Sequence, residues 1–127
     1  MKRSFASERS ANTSELNIAE LQSNAQRAAA LLKAMSNPSR LMVLCQLTEG
    51  EKSVGELERI VGLSQSALSQ HLAVLRRQNI VAARRAGQTM FYSLAGAEAP
   101  AVLATLYEVF CSKTSRASLR RLGAKPA

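Results

Sequence analysis

The run SVGELERIVGLSQSALSQHLAVLRRQ, residues 53 to 78, constrains the fold more than any other part of the chain. Ser53 followed three residues later by Glu56 forms a capping box, in which each residue satisfies a backbone N–H that a helix start leaves free. The short helix that opens there stops at Gly62, where a left-handed backbone is easiest to accommodate. Leu63 and Ser64 follow at once. Ser64 caps a second helix, QSALSQHLAVLRRQ, which stops near Asn79. Two helices joined through a turn of roughly three residues containing Gly make a helix-turn-helix.

The flanking segments extend this unit. Residues 1–14 are rich in Ser, Arg and Asn without apolar periodicity and read as a mobile arm. Asn17 with Glu20 resembles a capping box, and Ile18, Leu21, Ala25, Ala28, Leu32 and Met35 then recur at helical spacing. Asn37 before Pro38 marks another helix start, and Gly50 its stop. After Asn79 the pattern shortens to IVAARRA and TMFYSL around Gly87 and Gln88, which predicts a β-hairpin. Ala99 and Pro100 open a last helix with Val102, Leu103, Leu106, Val109 and Phe110 on one stripe. With 46% hydrophobic residues but only 4% aromatic, the core must come from aliphatic side chains on packed helices. The expected fold is mostly α, a winged helix-turn-helix with a two-stranded hairpin wing, spanning residues 15–111 as one domain before a tail at 112–127.

The formal net charge is +8 and is unevenly placed. Glu15 to Glu58 holds six Glu against Arg27, Lys33, Arg40 and Lys52, a balance of −2. Arg76, Arg77, Arg84 and Arg85 cluster farther on, and Lys113, Arg116, Arg120, Arg121 and Lys125 follow Cys111 with no acid. This balance suits a polyanion such as nucleic acid. For the tail, an anionic membrane surface or plain solubilisation are the alternatives. No run reaches the ~18 apolar residues of a membrane span, and the basic start leads into no apolar core of a leader, so the expected location is cytoplasmic. Cys45 and Cys111 are then expected as thiols, because reducing buffers keep lone pairs open unless they are transient and redox-sensing.

At about 100° per residue, Gln65, Ser66, Ser69, Gln70, Ala73, Arg76 and Arg77 share one arc of the second helix, opposite Leu68, Leu72 and Leu75. Short hydroxyls, amides and guanidiniums are the groups that read base edges in a major groove and clamp its phosphates. An ordinary solvated face is the alternative, but such faces mix both signs of charge, and no Asp or Glu lies between Glu58 and Glu98. His71 projects to the border of the arc: it is either a donor to DNA or a residue hydrogen-bonded within the fold. With no Cys, His or Asp three or four residues away it is a poor metal ligand. Arg84, Arg85, Gln88 and Thr89 surround the hairpin tip, where a basic ribbon adds affinity along the backbone or in the minor groove. A solvated turn is the alternative.

The segments SNPSRLMVLCQL, SVGELERIVGLSQSALSQHLAVLRR and AARRAGQTMFYSL resemble the arsenic-repressor (ArsR/SmtB) family of bacterial winged-helix regulators, over roughly Asn17 to Cys111. That resemblance implies a homodimer formed by the first and last helices, bound to an imperfect inverted repeat in double-stranded DNA and released by an inducer. It departs from the family's metal sensors: EKSVGEL has Ser53 and Gly55 where arsenic and cadmium sensors carry Cys-x-Cys, and PAVLATLYEVFCSK offers Glu108 but no histidine. No metal and no cofactor are expected.

Cys45 and Cys111, 111 − 45 = 66 residues apart, resemble the family's thiol-based branch, similar to the biofilm-growth repressor and the sulfide-responsive repressors, as do the preceding RLMVL and LYEVF. The resemblance implies a redox-sensing pair whose linkage through a disulfide or polysulfide, driven by reactive sulfur species or oxidants, releases DNA. Packing is the alternative. Cys45 lies four residues after Leu41 on an apolar stripe, a pattern that expects it in the core, and free Cys is among the most buried residue types. Both cysteines also sit near helix C-termini, where the dipole disfavours a thiolate, so Lys113 or Arg116 would have to assist Cys111. Two rival functions stand beside the sensor: a regulator with structural cysteines that acts by promoter competition or by displacing a silencing protein, and a small thiol enzyme. The second lacks Cys-x-x-Cys, a nucleophile beside a base, and a phosphate-cradling loop; the chain is not expected to be an enzyme.

Overall fold

The computed structural model describes residues 13–111, with side chains from residue 17. Among these the chain forms α1 (Thr13–Met35), α2 (Pro38–Leu47), β1 (Lys52–Ser53), α3 (Val54–Val61), α4 (Gln65–Arg77), β2 (Val81–Ala86), β3 (Thr89–Leu94) and α5 (Glu98–Phe110). Among the described residues, those through Lys33 form one compact unit and those from Ala34 a second.

In the first unit, α1 starts at Thr13, so Asn17 lies inside the helix and is not its cap. Neither Pro nor Gly interrupts Thr13–Leu16, and an interior Asn costs a helix only tenths of a kcal/mol (about 0.7 at most) relative to Ala. Of the residues counted with the N-terminal arm, Thr13 and Ser14 are therefore helical, while 1–12 lie outside the described residues, as does the tail from 112. Ile18 and Leu21 are exposed.

In the second unit, local chemistry sets each helix start. Asn37 has extended backbone (φ −158°, ψ 128°) and its side chain accepts from the Arg40 N–H, with Pro38 at the first helical position. Ser53 accepts from the Glu56 N–H at 3.1 Å while the Glu56 carboxylate accepts from the Ser53 N–H at 2.8 Å, the complete capping box. Gly62 ends α3 at φ +75°, a left-handed conformation that costs a residue with a Cβ. Ser64 accepts from the Ala67 N–H at 3.1 Å and starts α4.

The hairpin forms as expected, with Ala86 opposite Thr89 and Gly87 at φ +64° in the two-residue turn. The sheet, however, has three strands in the order β1-β3-β2, because Lys52 and Ser53 pair with Tyr92 and Phe91. Ser53 thus ends a strand and caps a helix at the same position. Val43, Leu44 and Leu47 of α2, Leu57 of α3, Leu68, Leu72 and Leu75 of α4, and Ile80 and Val81 at the start of the wing are buried. At about 25 cal/mol per Å² of apolar surface, each such aliphatic side chain contributes roughly 1.5–3 kcal/mol. Those leucines orient α4: burying its apolar side turns the other side outward.

Candidate nucleic-acid interface and cysteine pair

Gln65, Ser66, Ser69, Gln70, Ala73, Arg76 and Arg77 are all exposed on α4, on the side away from the buried leucines. Ser64 is exposed too, but its Oγ is engaged as the helix cap, leaving the hydroxyl proton as what it can still donate. Arg76 and Arg77 occupy the last turn, where a cation complements the negative helix end.

His71 is half-buried beside Leu68 and Leu75, on the side of α4 nearer the buried leucines than the exposed arc, and Arg40 of α2 points its Nη1 at the imidazole Nδ1 across 3.2 Å. The guanidinium is itself held: Arg40 Nε donates to the Ala34 carbonyl at 2.6 Å, and the Arg40 backbone N–H donates to Asn37 Oδ1 at 3.0 Å. Within-fold bonding, one of the two readings of His71, is thus present at one ring nitrogen. Sequence reasoning did not single out Arg40 in this role, since its partner lies 31 residues away and no local spacing marks the pair.

On the wing, Arg84 is engaged within the protein. Its Nε and Nη2 donate to the two carboxylate oxygens of Glu51 at 3.0 and 2.7 Å, and its guanidinium lies 4.7 Å from the centre of the Phe91 ring. The fork holds the Glu51 carboxyl below the usual carboxylate range, chiefly through the hydrogen bond and then through charge. Arg85, Gln88 and Thr89 are exposed, and Arg85, one residue on from Arg84, projects to the opposite face of the strand. The wing therefore divides its two arginines, one tied down and one open to solvent. Glu51 was the second residue missed; seeing it required knowing that β1 joins the sheet.

Cys45 is exposed, not part of the core. The sequence expectation counted its distance from Leu41, but the buried side of α2 is set by Val43, Leu44 and Leu47. At about 100° per residue their mean direction lies roughly 150° from Cys45. Cys111 is also exposed and caps the end of α5, its N–H donating to the Tyr107 carbonyl at 2.8 Å. The Cys45 pKa is pushed up, first by partial burial of the sulfur against its own surroundings and second by the charge of Cys111. Lys113 and Arg116 lie outside the described residues. Among the described residues, no group of three or more His, Cys, Asp and Glu side chains is placed to hold a metal ion, and no helix is long and apolar enough to cross a membrane.

A buried leucine stripe that turns a polar, acid-free helix outward beside a three-stranded wing defines a winged-helix DNA-binding regulator. Residues 37–83 match the model of the family described as bacterial regulatory proteins of the arsR family. The transcriptional activator HlyU of Vibrio cholerae is 48% identical over 96 residues, 76% of this chain and 89% of that protein. The biofilm growth-associated repressor of Xylella fastidiosa is 45% identical over 98 residues, 77% of this chain and 86% of that protein. The solved structure of reduced HlyU from Vibrio cholerae superimposes with a TM-score of 0.71 at 48% identity, covering 73% of this chain and 98% of that one. The chain belongs to the arsR family of DNA-binding transcriptional regulators.

Proposed function

We propose that the protein is a homodimeric repressor that binds an imperfect inverted repeat through α4 and the wing, and that leaves it when Cys45 and Cys111 are joined. On α4, Gln65, Ser66, Ser69 and Gln70 read base edges from the first two turns, while Arg76 and Arg77 hold phosphates. Arg85, Gln88 and Thr89 carry the wing's contact with the backbone, and Arg84 joins them to the extent that a phosphate draws it from Glu51.

The observation that supports the sensing half is that both cysteines are free and exposed, so that a small sulfur donor can reach each of them. A small-molecule persulfide supplies the chemistry. One cysteine thiolate takes its outer sulfur and releases the parent thiol, and the other thiolate then attacks the inner sulfur of the new cysteine persulfide, giving a disulfide between the two cysteines and hydrogen sulfide. If both cysteines are first persulfidated, condensation gives a trisulfide and again one hydrogen sulfide. A bridge ties α2 to the end of α5 and shifts the paired reading helices out of register. The raised Cys45 pKa leaves little thiolate at neutral pH, which favours slow, selective exchange over rapid reaction with any oxidant.

Fluorescence anisotropy with an operator duplex tests the proposal. Reduced protein is expected to bind, persulfide-treated protein to bind at least tenfold more weakly, and treated Cys45→Ser to bind like the reduced form. Equal affinity in all three would remove the switch. A second reading has its own support, since one relative of 48% identity is named an activator: bound protein would raise transcription by displacing a silencing protein. A promoter fusion in a deletion strain separates the two by the sign of the change.

A further inference from the structure

We infer that Arg40 is a positioning residue for the reading of DNA. Its hydrogen bond to His71 fixes how far α4 is rolled about its own axis, and so which side chains face base edges, without either residue touching DNA. The inference rests on α4 being the DNA-reading helix.

The leucines of α4 set its roll only in part. Leu68, Leu72 and Leu75 are buried, but burial of apolar surface is non-directional, so a small roll that keeps them covered is resisted only by the fit of their neighbours. A hydrogen bond, by contrast, weakens steeply as its angle closes. At about 100° per residue, His71 lies about 65° from the mean direction of those leucines and roughly 170° from the middle of the exposed arc. A bond at this flank resists roll, because turning the helix carries the ring sideways and away from its partner.

The partner is itself fixed. A guanidinium has only donors, so the 3.2 Å contact from Arg40 Nη1 is a donation to a lone pair on His71 Nδ1. In a neutral imidazole the proton then sits on Nε2. Arg40 cannot turn away freely, because its Nε donates to the Ala34 carbonyl at 2.6 Å and its backbone N–H donates to Asn37 Oδ1 at 3.0 Å as part of the α2 start. Arg40 and His71 are both half-buried, and a lower local dielectric strengthens the bond between them. Since Arg40 stands on α2, the roll of α4 follows the position of that helix.

The test compares an operator duplex with a random-sequence duplex, because roll misplaces the groups that read bases while arginine–phosphate contacts tolerate it. His71→Leu keeps the bulk and removes the acceptor, whereas His71→Asn keeps an acceptor near the Nδ1 position. Operator affinity is expected to fall about tenfold in His71→Leu, the order that one hydrogen bond from a charged donor is worth, because the reading orientation becomes only a fraction of the population. Random-sequence affinity should change by less than about twofold, and His71→Asn should stay within about threefold of the wild type on the operator. Arg40→Met should lose about as much on the operator as His71→Leu, and the double variant no more than Arg40→Met alone, since each removes the same bond. Losses equal on the two duplexes, additive in the double variant, or as large in His71→Asn as in His71→Leu would each overturn the inference. His71 is the only histidine, so a long-range nitrogen–proton correlation spectrum of the tag-free full chain contains one imidazole. At about pH 8, where an ordinary imidazole is neutral, an unprotonated Nδ1 is expected. A protonated Nδ1 would overturn the inference on the wild type alone, even if a variant failed to fold. Gln70→Ala supplies the control. If it weakens operator binding while His71→Leu does not, this inference alone fails; if it binds like the wild type, the reading of α4 fails and takes the inference with it.

Discussion

At the scale of single residues, the side of a helix on which a group lies decides its chemistry. Cys45 follows Leu44 directly, yet Leu44 is wholly buried and Cys45 is exposed, because one step along α2 turns the side chain by about 100°. The thiol is accessible but poorly ionised. Burial of the sulfur is the larger cause of its raised pKa and the charge of Cys111 the smaller, and both disfavour thiolate in the same direction. Alkylation of Cys45 by iodoacetamide should therefore still be accelerating with pH where an ordinary thiol has levelled off. In Cys111→Ser the midpoint should move down, since one cause is removed, while remaining above the ordinary value, since burial stays. Mass spectrometry of the Cys45 peptide after timed alkylation gives both midpoints. A midpoint unmoved by Cys111→Ser would mean that the two sulfurs do not sense each other, and would count against the proposed bridge.

At the scale of elements, the wing is held by a contact that competes with its proposed use. Arg84 forks onto Glu51, and although an exposed pair of this kind is worth little in water, the carboxylate occupies the guanidinium that would otherwise meet a DNA phosphate. Glu51→Gln removes the competing charge. It should strengthen DNA binding by a few-fold and steepen the dependence of log affinity on log salt by about one unit per subunit. A salt titration of the two proteins reads both. Acid should act in the same direction. The lowered Glu51 pKa means the fork is complete at and above the ordinary carboxylate range and is lost as pH falls through the lowered value. Weaker binding by Glu51→Gln would instead mean that the fork holds the wing in its binding position. The same element shows how far the sequence was readable. The caps at Asn37, Ser53 and Ser64, the left-handed Gly62 and the two-residue turn at Gly87 depend on groups within three residues of one another, and a local pattern records them. The third strand, the Arg40–His71 bond and the Arg84–Glu51 fork join positions 31 to 40 residues apart, and no spacing within a helix or strand encodes such a meeting. Cys45 was misplaced for a related reason: periodicity defines an apolar stripe, but only the packed neighbours of α2 decide which edge of it is covered.

At the scale of the whole molecule, apolar surface left uncovered in the single chain bears on assembly. Ile18 and Leu21 of α1 are 65% and 64% exposed, and Tyr107 and Phe110 of α5 are 62% and 67% exposed. Large apolar side chains grouped on a helix and facing water are costly and mark a surface that meets a partner. The family resemblance assigns both helices to a dimer, and in the proposed homodimer the two-fold axis presents two copies of α4 to the two halves of an inverted repeat. Each half-site then adds to the other through its effective concentration, which multiplies affinity by roughly 10² to 10⁴ with no new contact to DNA. Phe110→Glu and Leu21→Glu together should therefore shift the protein from dimer to monomer in sedimentation velocity. They should also weaken operator binding by at least about a hundredfold, while the circular dichroism of the fold is retained, because both side chains lie outside its core. The loss should be far smaller on a duplex carrying one half-site, where a dimer has no second site to use. Equal losses on the two duplexes would mean that the substitutions act within the subunit, and a monomer that keeps full operator affinity would mean that each α4 binds independently of the other.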